Sequence, residues 1–485
     1  METPAKFARP GAGFILGIAL AAVIAALAVR IQLDAAVSRD PAAYIVYIRA
    51  VMMGTAQPPG TVERVLNPFI LSNYLLYLPA VLLTLVGFGV ETAHKLACFL
   101  LFGWSFSHLL GYVRAYEGRA AWVLLPTYTL VGLVFPVDGF GQKEHLFLLL
   151  ILPYLLAALA PAQDNVRLSL GGGVAAACAL VIKPYLIGPW VLIEGWRMLR
   201  GGARSVFNRL NLLVVAVQVA YYAAVLILVA RLPDSHGVVA AVLDIKRSYL
   251  RADWSTLFIR RFTLIWLVGG LGLAAALMVR RLRHGAVVWL LAVVAAIASV
   301  VVQGNGLDYH WHLVGALAGL GLAWVVAETE GRRVGAAALA VFFVLVALRT
   351  YPFAQAEWRN RAGLTVLVAA TRPYGADYTL AMFSTDYAPQ NQLLAMTGMA
   401  NGLSFESLWF LDVLALPGHA DPSGLLARTE AEIIADLGRP GLVLLVPTTL
   451  NAGLTLLLSR PAVIAALARY RQMAEVNGYA LMVAD

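Results

Sequence analysis

The sequence predicts a polytopic α-helical membrane protein of about eleven transmembrane helices with a C-terminal α/β domain, and three observations carry the prediction. Of 485 residues, 61% are hydrophobic and 13% charged, with mean hydropathy +0.78, far more apolar and about half as charged as a soluble domain. Apolar runs long enough to cross a bilayer recur through residues 1–349, separated by short polar or basic segments. Residues 350–485 lose that pattern and alternate strand-like with helix-like runs.

The formal charge of +9 would suit a nucleic-acid binder, but the basic residues fall mostly in short loops between apolar runs, the pattern that sets membrane orientation. No nucleic-acid partner is expected; the lipid bilayer is. Cys98 and Cys178 lie within apolar runs, which points to small core residues and to neither a disulfide framework nor a zinc site.

At about 20 apolar residues per crossing, spans are expected near 12–29, 92–112, 120–136, 145–161, 168–183, 184–199, 210–231, 258–279, 285–302, 309–327 and 333–349. The first follows Lys6 and Arg9 but lacks a clear small-residue cleavage site, so it reads as a transmembrane helix and not as a signal peptide. Residues 67–87 are apolar enough to cross, yet Asn73, Tyr74, Tyr77 and Pro79 equally suit a helix partly embedded on one side. The basic loops decide between these. If 67–87 does not cross, the loops 112–119, 197–209, 280–284 and 328–333 share the side of Lys6 and Arg9, which makes that side cytoplasmic. The outer face then collects residues 30–91, 137–144, Lys183, residues 232–257 and 303–308, and everything after Arg349.

In the tail, strands are expected at 378–384, 441–446 and 479–484, and helices at 356–371, 425–437 and 461–474. The tail is about 135 residues, enough for a small domain.

Chemistry concentrates where ionisable residues interrupt apolar sequence, because a charge in hydrocarbon is costly unless it lines a watery cavity or a site. Residues 137–145 read VDGFGQKEH and place Gln142, Lys143, Glu144 and His145 at a helix end. Glu144 suits holding a metal or orienting an acceptor and Lys143 suits meeting a phosphate; the structural reading is an interfacial cap with a snorkelling lysine. Asp138 also fits a simple Asp-Gly turn. Asp40 precedes Pro41 and Tyr44 just beyond the first span, where it either reaches a site at the membrane surface or caps the following helix. Lys183-Pro184-Tyr185 interrupts another apolar run. Downstream, Gln303 to Gly306 leads into Asp308-Tyr309-His310-Trp311-His312. His310 and His312, two apart, point to different helix faces, so His310 fits hydrogen bonding to phosphate better than a paired-histidine metal site; a structural interfacial His and Trp pair is the alternative. The loop 232–257, with Asp234, His236, Lys246 and Arg247, is a flap over a site or a solvated loop. No dinucleotide fingerprint, phosphate loop, HExxH helix or nucleophile elbow stands in a supporting context.

Together, Asp40-Pro41-x-x-Tyr44 with Gly54 and Asn67-Pro68, then Val137 to His145, then Lys183-Pro184-Tyr185 and the C-terminal domain, resemble the polytopic C-type glycosyltransferases, which use lipid-phosphate sugars. The resemblance covers most of the chain in architecture and loose motifs. It implies a bacterial inner-membrane enzyme that transfers a sugar, with inversion, from a polyprenyl-phosphate donor to an envelope glycan, lipid or protein at the periplasmic face. Asp40 would be the general base; Lys143, Lys183 and His310 would balance the leaving phosphate; Glu144 would position the acceptor or a divalent cation; and Gln142, His145 and Tyr44 would contact substrate. The chain departs from the family in lacking paired acids at Asp40 and in carrying a Glu-His pair at the second motif, which leaves metal use open. A flippase or transporter of lipid-linked saccharide is the competing class, although charges gathered at one face and the absence of internal repeats speak against it. A ligase or polymerase of whole glycans is a further alternative.

Overall fold

A computed structural model describes residues 11–54, 70–116, 121–137, 139–159, 166–230, 257–258, 263–304, 307–329, 333–386, 389–405, 407–418, 421 and 424–484. The chain forms two compact units: Met1–Leu33, Phe99–Gln218 and Trp254–Ala354 in one, and Asp34–Cys98, Val219–Asp253 and Gln355–Asp485 in the other.

The first unit is helical, and every run read as a span contains helix among its described residues. Across the described residues of both units, six helices are long and apolar enough to cross a membrane: Ala12–Asp34, Val90–Ala115, Arg209–Ile227, Arg283–Gln303, Asp308–Glu328 and Gly335–Gly375. The protein is therefore a multi-pass membrane protein. In Ala12–Asp34 the buried positions are Gly17, Ala21, Ala28 and Gln32, while Ile15, Leu16, Val23 and Leu27 face outward. Small residues inward and large apolar ones outward is how a helix packs when its surroundings are lipid. Gly17 permits the closest approach, since a Cβ there would lie 2.3 Å from the Ala121 carbonyl oxygen. Asp308–Glu328 is buried along nearly its whole length and packs against the helices Ala121–Thr129, Lys143–Leu159, Thr263–Leu277 and Arg283–Gln303. It is the axis of this unit.

The helix Arg333–Thr371 continues through Pro352, joining the expected last span to the helix expected at 356–371. The run 67–87 contains a helix, Ile70–Leu85, with Pro79 inside.

In the second unit, a four-stranded sheet has the order β1 (Thr379–Met382), β2 (Leu442–Pro447), β4 (Tyr479–Ala484), β3 (Tyr470–Val476). β1 and β2 are parallel and the other pairs antiparallel. Strand alternation sends Ala381, Phe383, Leu442 and Leu444 into one core and Leu380, Met382, Val443 and Leu445 into another. Helices Phe410–Leu414, Leu425–Leu437, Ala452–Leu458 and Pro461–Leu467 supply the first core; Leu364, Leu367, Leu393 and Leu394 supply the second. The result is a three-layer α/β arrangement. The helix expected over 461–474 is a correction: it ends at Leu467 and β3 follows. Asn477 and Gly478, with φ of 49° and 80°, form the two-residue turn that ties β3 to β4. That turn type favours Asn-Gly because both central residues need positive φ.

Candidate functional site

The π-helical turn Leu130–Val134 ends the helix that begins at Ala121. A helix end leaves carbonyls without intrahelical partners, and here side chains from four other helices satisfy them. His312 Nε2 donates to the Val131 carbonyl at 3.1 Å, His145 Nε2 to Gly132 at 2.7 Å, Gln32 Nε2 to Leu133 at 3.4 Å, and an Arg349 guanidinium nitrogen to Phe135 at 2.7 Å. The segment after the turn is pinned as well. The Gly141 amide donates to His145 Nδ1 at 2.8 Å, which fixes the neutral ring with its proton on Nε2. Gly141 has φ +74°, and Gln142 leads directly into the helix Lys143–Leu159. This scaffold presents Glu144 in the first helical turn, where a carboxylate is favoured by the helix dipole.

Glu144 is 2% exposed and meets two residues distant in sequence. Lys183 Nζ donates to Glu144 Oε1 at 2.5 Å, and His310 Nε2 lies 3.4 Å from the same oxygen. Lys183 stands in extended conformation between the helix Val166–Ile182 and the short turn Pro184–Ile187. Its ammonium also donates to Gln303 Oε1 at 3.3 Å, an atom that accepts from the Tyr185 hydroxyl at 2.7 Å. The ammonium lies 5.6 Å and 5.7 Å from the ring centres of Tyr185 and Tyr309. Opposite charges buried together neutralise one another, so the pair persists where a lone charge would be expelled.

The pair is not fully satisfied. Among the described residues, Glu144 Oε2 and both ring nitrogens of His310 are buried without a hydrogen-bond partner. A second buried cluster in the same unit gives the contrast. Glu194 accepts from the Tyr154 hydroxyl at 2.7 Å, from Arg197 at 2.8 Å and from Asn211 Nδ2 at 2.7 Å, and Trp190 Nε1 donates to Asn211 Oδ1 at 2.9 Å. That cluster is a closed structural clasp. Buried native polar groups are ordinarily paired; other buried polar atoms of the described residues also lack a partner, but at Glu144 and His310 three of them gather beside one ion pair.

Of the residues expected at a site, the structure joins Glu144, Lys183 and His310. Gln142 and Lys143 are buried immediately before Glu144, and His145 has both nitrogens engaged by backbone, which makes it a scaffold residue. Asp40 and Tyr44 belong to the second unit. There the helix Arg39–Met52 has Ser38 at its cap, so Asp40 lies in the first turn instead of capping it. Tyr44 is buried and stacks on Tyr77 with ring centres 5.5 Å apart. The chain before Asp40 is held firmly: the Ala35 carbonyl accepts from Lys95 at 2.7 Å and from Arg361 at 2.8 Å, and both cations pair with Glu91. Gln392 Nε2 donates to the Val37 carbonyl at 2.7 Å. Asp138, Asn67, Pro68 and residues 232–256 lie outside the described residues.

A divalent cation does not fit the described part of this site. Lys183 occupies Glu144 Oε1, and no group of three His, Cys, Asp or Glu side chains gathers among the described residues. One carboxylate oxygen and one imidazole do not make a cage for calcium, and magnesium held there would keep most of its coordination shell as water or substrate oxygen. Sequence reasoning missed Gln32, Arg349 and Glu194, and it missed His312 as a scaffold donor. Each of them is a polar side chain inside or at the end of an apolar run, and that was the available signal.

No protein-family model matches the sequence, and no curated protein matches it significantly.

Proposed function

We propose that this membrane protein is a polytopic C-type glycosyltransferase, with about eleven spans, that moves a sugar from a polyprenyl-phosphate donor to an envelope acceptor. The observation that carries the reading is the buried Glu144–Lys183–His310 cluster, assembled from three helix ends and, unlike the Glu194 cluster of the same unit, holding unpartnered polar atoms. Ionisable groups buried among membrane helices mark substrate or proton pathways by default. A lipid-linked donor also needs no nucleotide-binding fold, in keeping with a sequence that has no nucleotide motif.

In this reading the N-terminus is cytoplasmic, the C-terminal α/β domain is periplasmic and the membrane is a bacterial inner membrane, as the distribution of basic loops favours. Asp40 takes the proton of the acceptor hydroxyl as that oxygen attacks the anomeric carbon. The carbon–oxygen bond to the lipid phosphate breaks with inversion, and the phosphate leaves with the bonding pair. Lys143 faces the developing phosphate charge, while Lys183 is committed to Glu144 and fixes its orientation.

The test is transfer of radiolabelled sugar from membrane polyprenyl-phosphate donors by purified wild-type, Asp40→Asn and Glu144→Gln proteins at matched folding. The expected result is transfer by the wild type and its loss in Asp40→Asn. Full activity of Asp40→Asn would remove the mechanism, and no wild-type transfer across a broad donor panel would remove the reading.

A further inference from the structure

Three features of the Glu144 site define what it can hold. The Lys183 ammonium is already enclosed by Glu144, Gln303 and the faces of Tyr185 and Tyr309. The charge of Glu144 and Lys183 together is zero, and of the Glu144, Lys183 and His310 side chains what remains unpartnered is one acceptor-only oxygen, Glu144 Oε2, and the two nitrogens of His310. His310 is 2% exposed and Glu144 likewise, so bulk water does not satisfy them.

A phosphate oxygen placed here would set acceptor against acceptor at Glu144 Oε2, while the Lys183 ammonium is already committed to Glu144 Oε1. A cationic group would crowd a second positive charge beside Lys183. A hydroxyl fits both partners, because it donates to the carboxylate oxygen and accepts from the protonated nitrogen of neutral His310, and the remaining ring nitrogen can accept from a neighbouring hydroxyl. We infer that Glu144 and His310 form a subsite for the hydroxyls of an uncharged polyol and not for phosphate. The assignment of those hydroxyls to the donor sugar rests on the glycosyltransferase reading, and it revises the expectation that Lys183 and His310 contact the leaving phosphate.

The discriminating variant is His310→Phe. It keeps ring volume and removes two nitrogens that make no hydrogen bond to the described protein, so a ligand role and a structural role separate cleanly. In the full-length protein in detergent, affinity is measured for undecaprenyl phosphate alone and for the same lipid carrying each of a panel of neutral hexoses. The wild type is expected to bind one or more hexose-bearing lipids more tightly than the bare lipid. His310→Phe should lose roughly two- to tenfold of that sugar-dependent affinity, the range for a hydrogen bond between neutral partners. Binding of the bare lipid should be unchanged, and the melting temperature unchanged or raised. The double variant Glu144→Gln/Lys183→Met, which removes both charges together, should show the same selective loss.

An equal loss for the bare lipid would make this an anion subsite and overturn the inference while leaving the enzyme reading standing. Undiminished sugar-dependent affinity in both variants would leave the pair holding ordered water only, again without touching the enzyme reading. A His310→Phe protein that melts lower would identify a structural histidine and overturn the inference. Wild-type protein that binds neither form of the lipid would overturn the enzyme reading, and the inference with it.

Discussion

The His145 Nε2 proton is donated to the Gly132 carbonyl over 2.7 Å, while the Gly141 amide donates to the other nitrogen of the same ring. One neutral histidine thereby ties a π-helical turn to the segment that delivers Glu144. π-Turns within α-helices are uncommon and frequently mark functional sites, and this one releases carbonyls that four side chains then capture. His145→Phe keeps the ring packed against Phe140 while leaving a carbonyl and an amide buried and unpaired. Each orphaned group costs about 1–3 kcal/mol. The melting temperature should fall and hydrogen exchange across residues 132–141 should quicken. A wild-type melting profile would mean the turn does not depend on this histidine.

The positions of the site residues were legible in the sequence, but their partnerships were not. Glu144, Lys183 and His310 each stood out as an ionisable residue interrupting apolar sequence, because that signal is local. Their convergence depends on how helix ends separated by 39 residues, in the case of Lys183 and Glu144, are brought together by packing, which leaves no periodic trace. The spacing of His310 and His312 correctly separated their directions: one faces Glu144 and the other the Val131 carbonyl. The β3 strand was a different failure. Asn477-Gly478 is a strong hairpin signal, but the helical reading of 461–474 ran past Leu467 and obscured the strand that follows. The π-turn itself carried no recognisable sequence signature.

Asp436, in the C-terminal domain, accepts from the Ser404 amide at 2.7 Å and the Ser404 hydroxyl at 2.8 Å, and pairs with Arg439 at 2.7 Å. Burial nevertheless pushes its carboxyl above the usual range and outweighs the opposing pull of Ser404 and Arg439. A carboxyl whose pKa is higher folded than unfolded holds its proton longer in the folded state. Its contribution to stability is therefore greatest at low pH and declines as pH rises from the unfolded value, about 4, through the raised folded value. Melting of the full-length protein followed across that window should show the decline, and Asp436→Asn should flatten it. A variant with an unchanged pH slope would place the dependence elsewhere.

Glu91 pairs with both Lys95 and Arg361, and the two cations converge on the Ala35 carbonyl. Removing the shared carboxylate leaves two neighbouring positive charges, whereas removing one cation leaves a balanced pair. Glu91→Gln should therefore loosen residues 34–38 more than Arg361→Met does. The Arg361 side chain is 32% exposed, so solvent screens its share and its loss should cost no more than about 1 kcal/mol. Hydrogen exchange at 34–40 measures the order directly. Greater loosening by Arg361→Met would show that the arginine, and not the carboxylate, organises the approach to Asp40.

Glu144 and Lys183 provide the sharpest energetic test, because their side chains are 2% and 15% exposed and carry opposite charge. Glu144→Gln strands an ammonium in an apolar unit, and Lys183→Met strands a carboxylate. Breaking a buried pair from either side costs about 3–5 kcal/mol. The double variant strands neither charge, so its loss should be far smaller than the sum of the singles and close to neutral. Thermal unfolding of the four proteins in one detergent yields the coupling energy. Additive losses would mean that each residue answers to other partners and that the pair is only a neighbourhood. Strong coupling together with lost sugar-dependent binding in the double variant would separate what the pair does for the ligand from what it does for the fold.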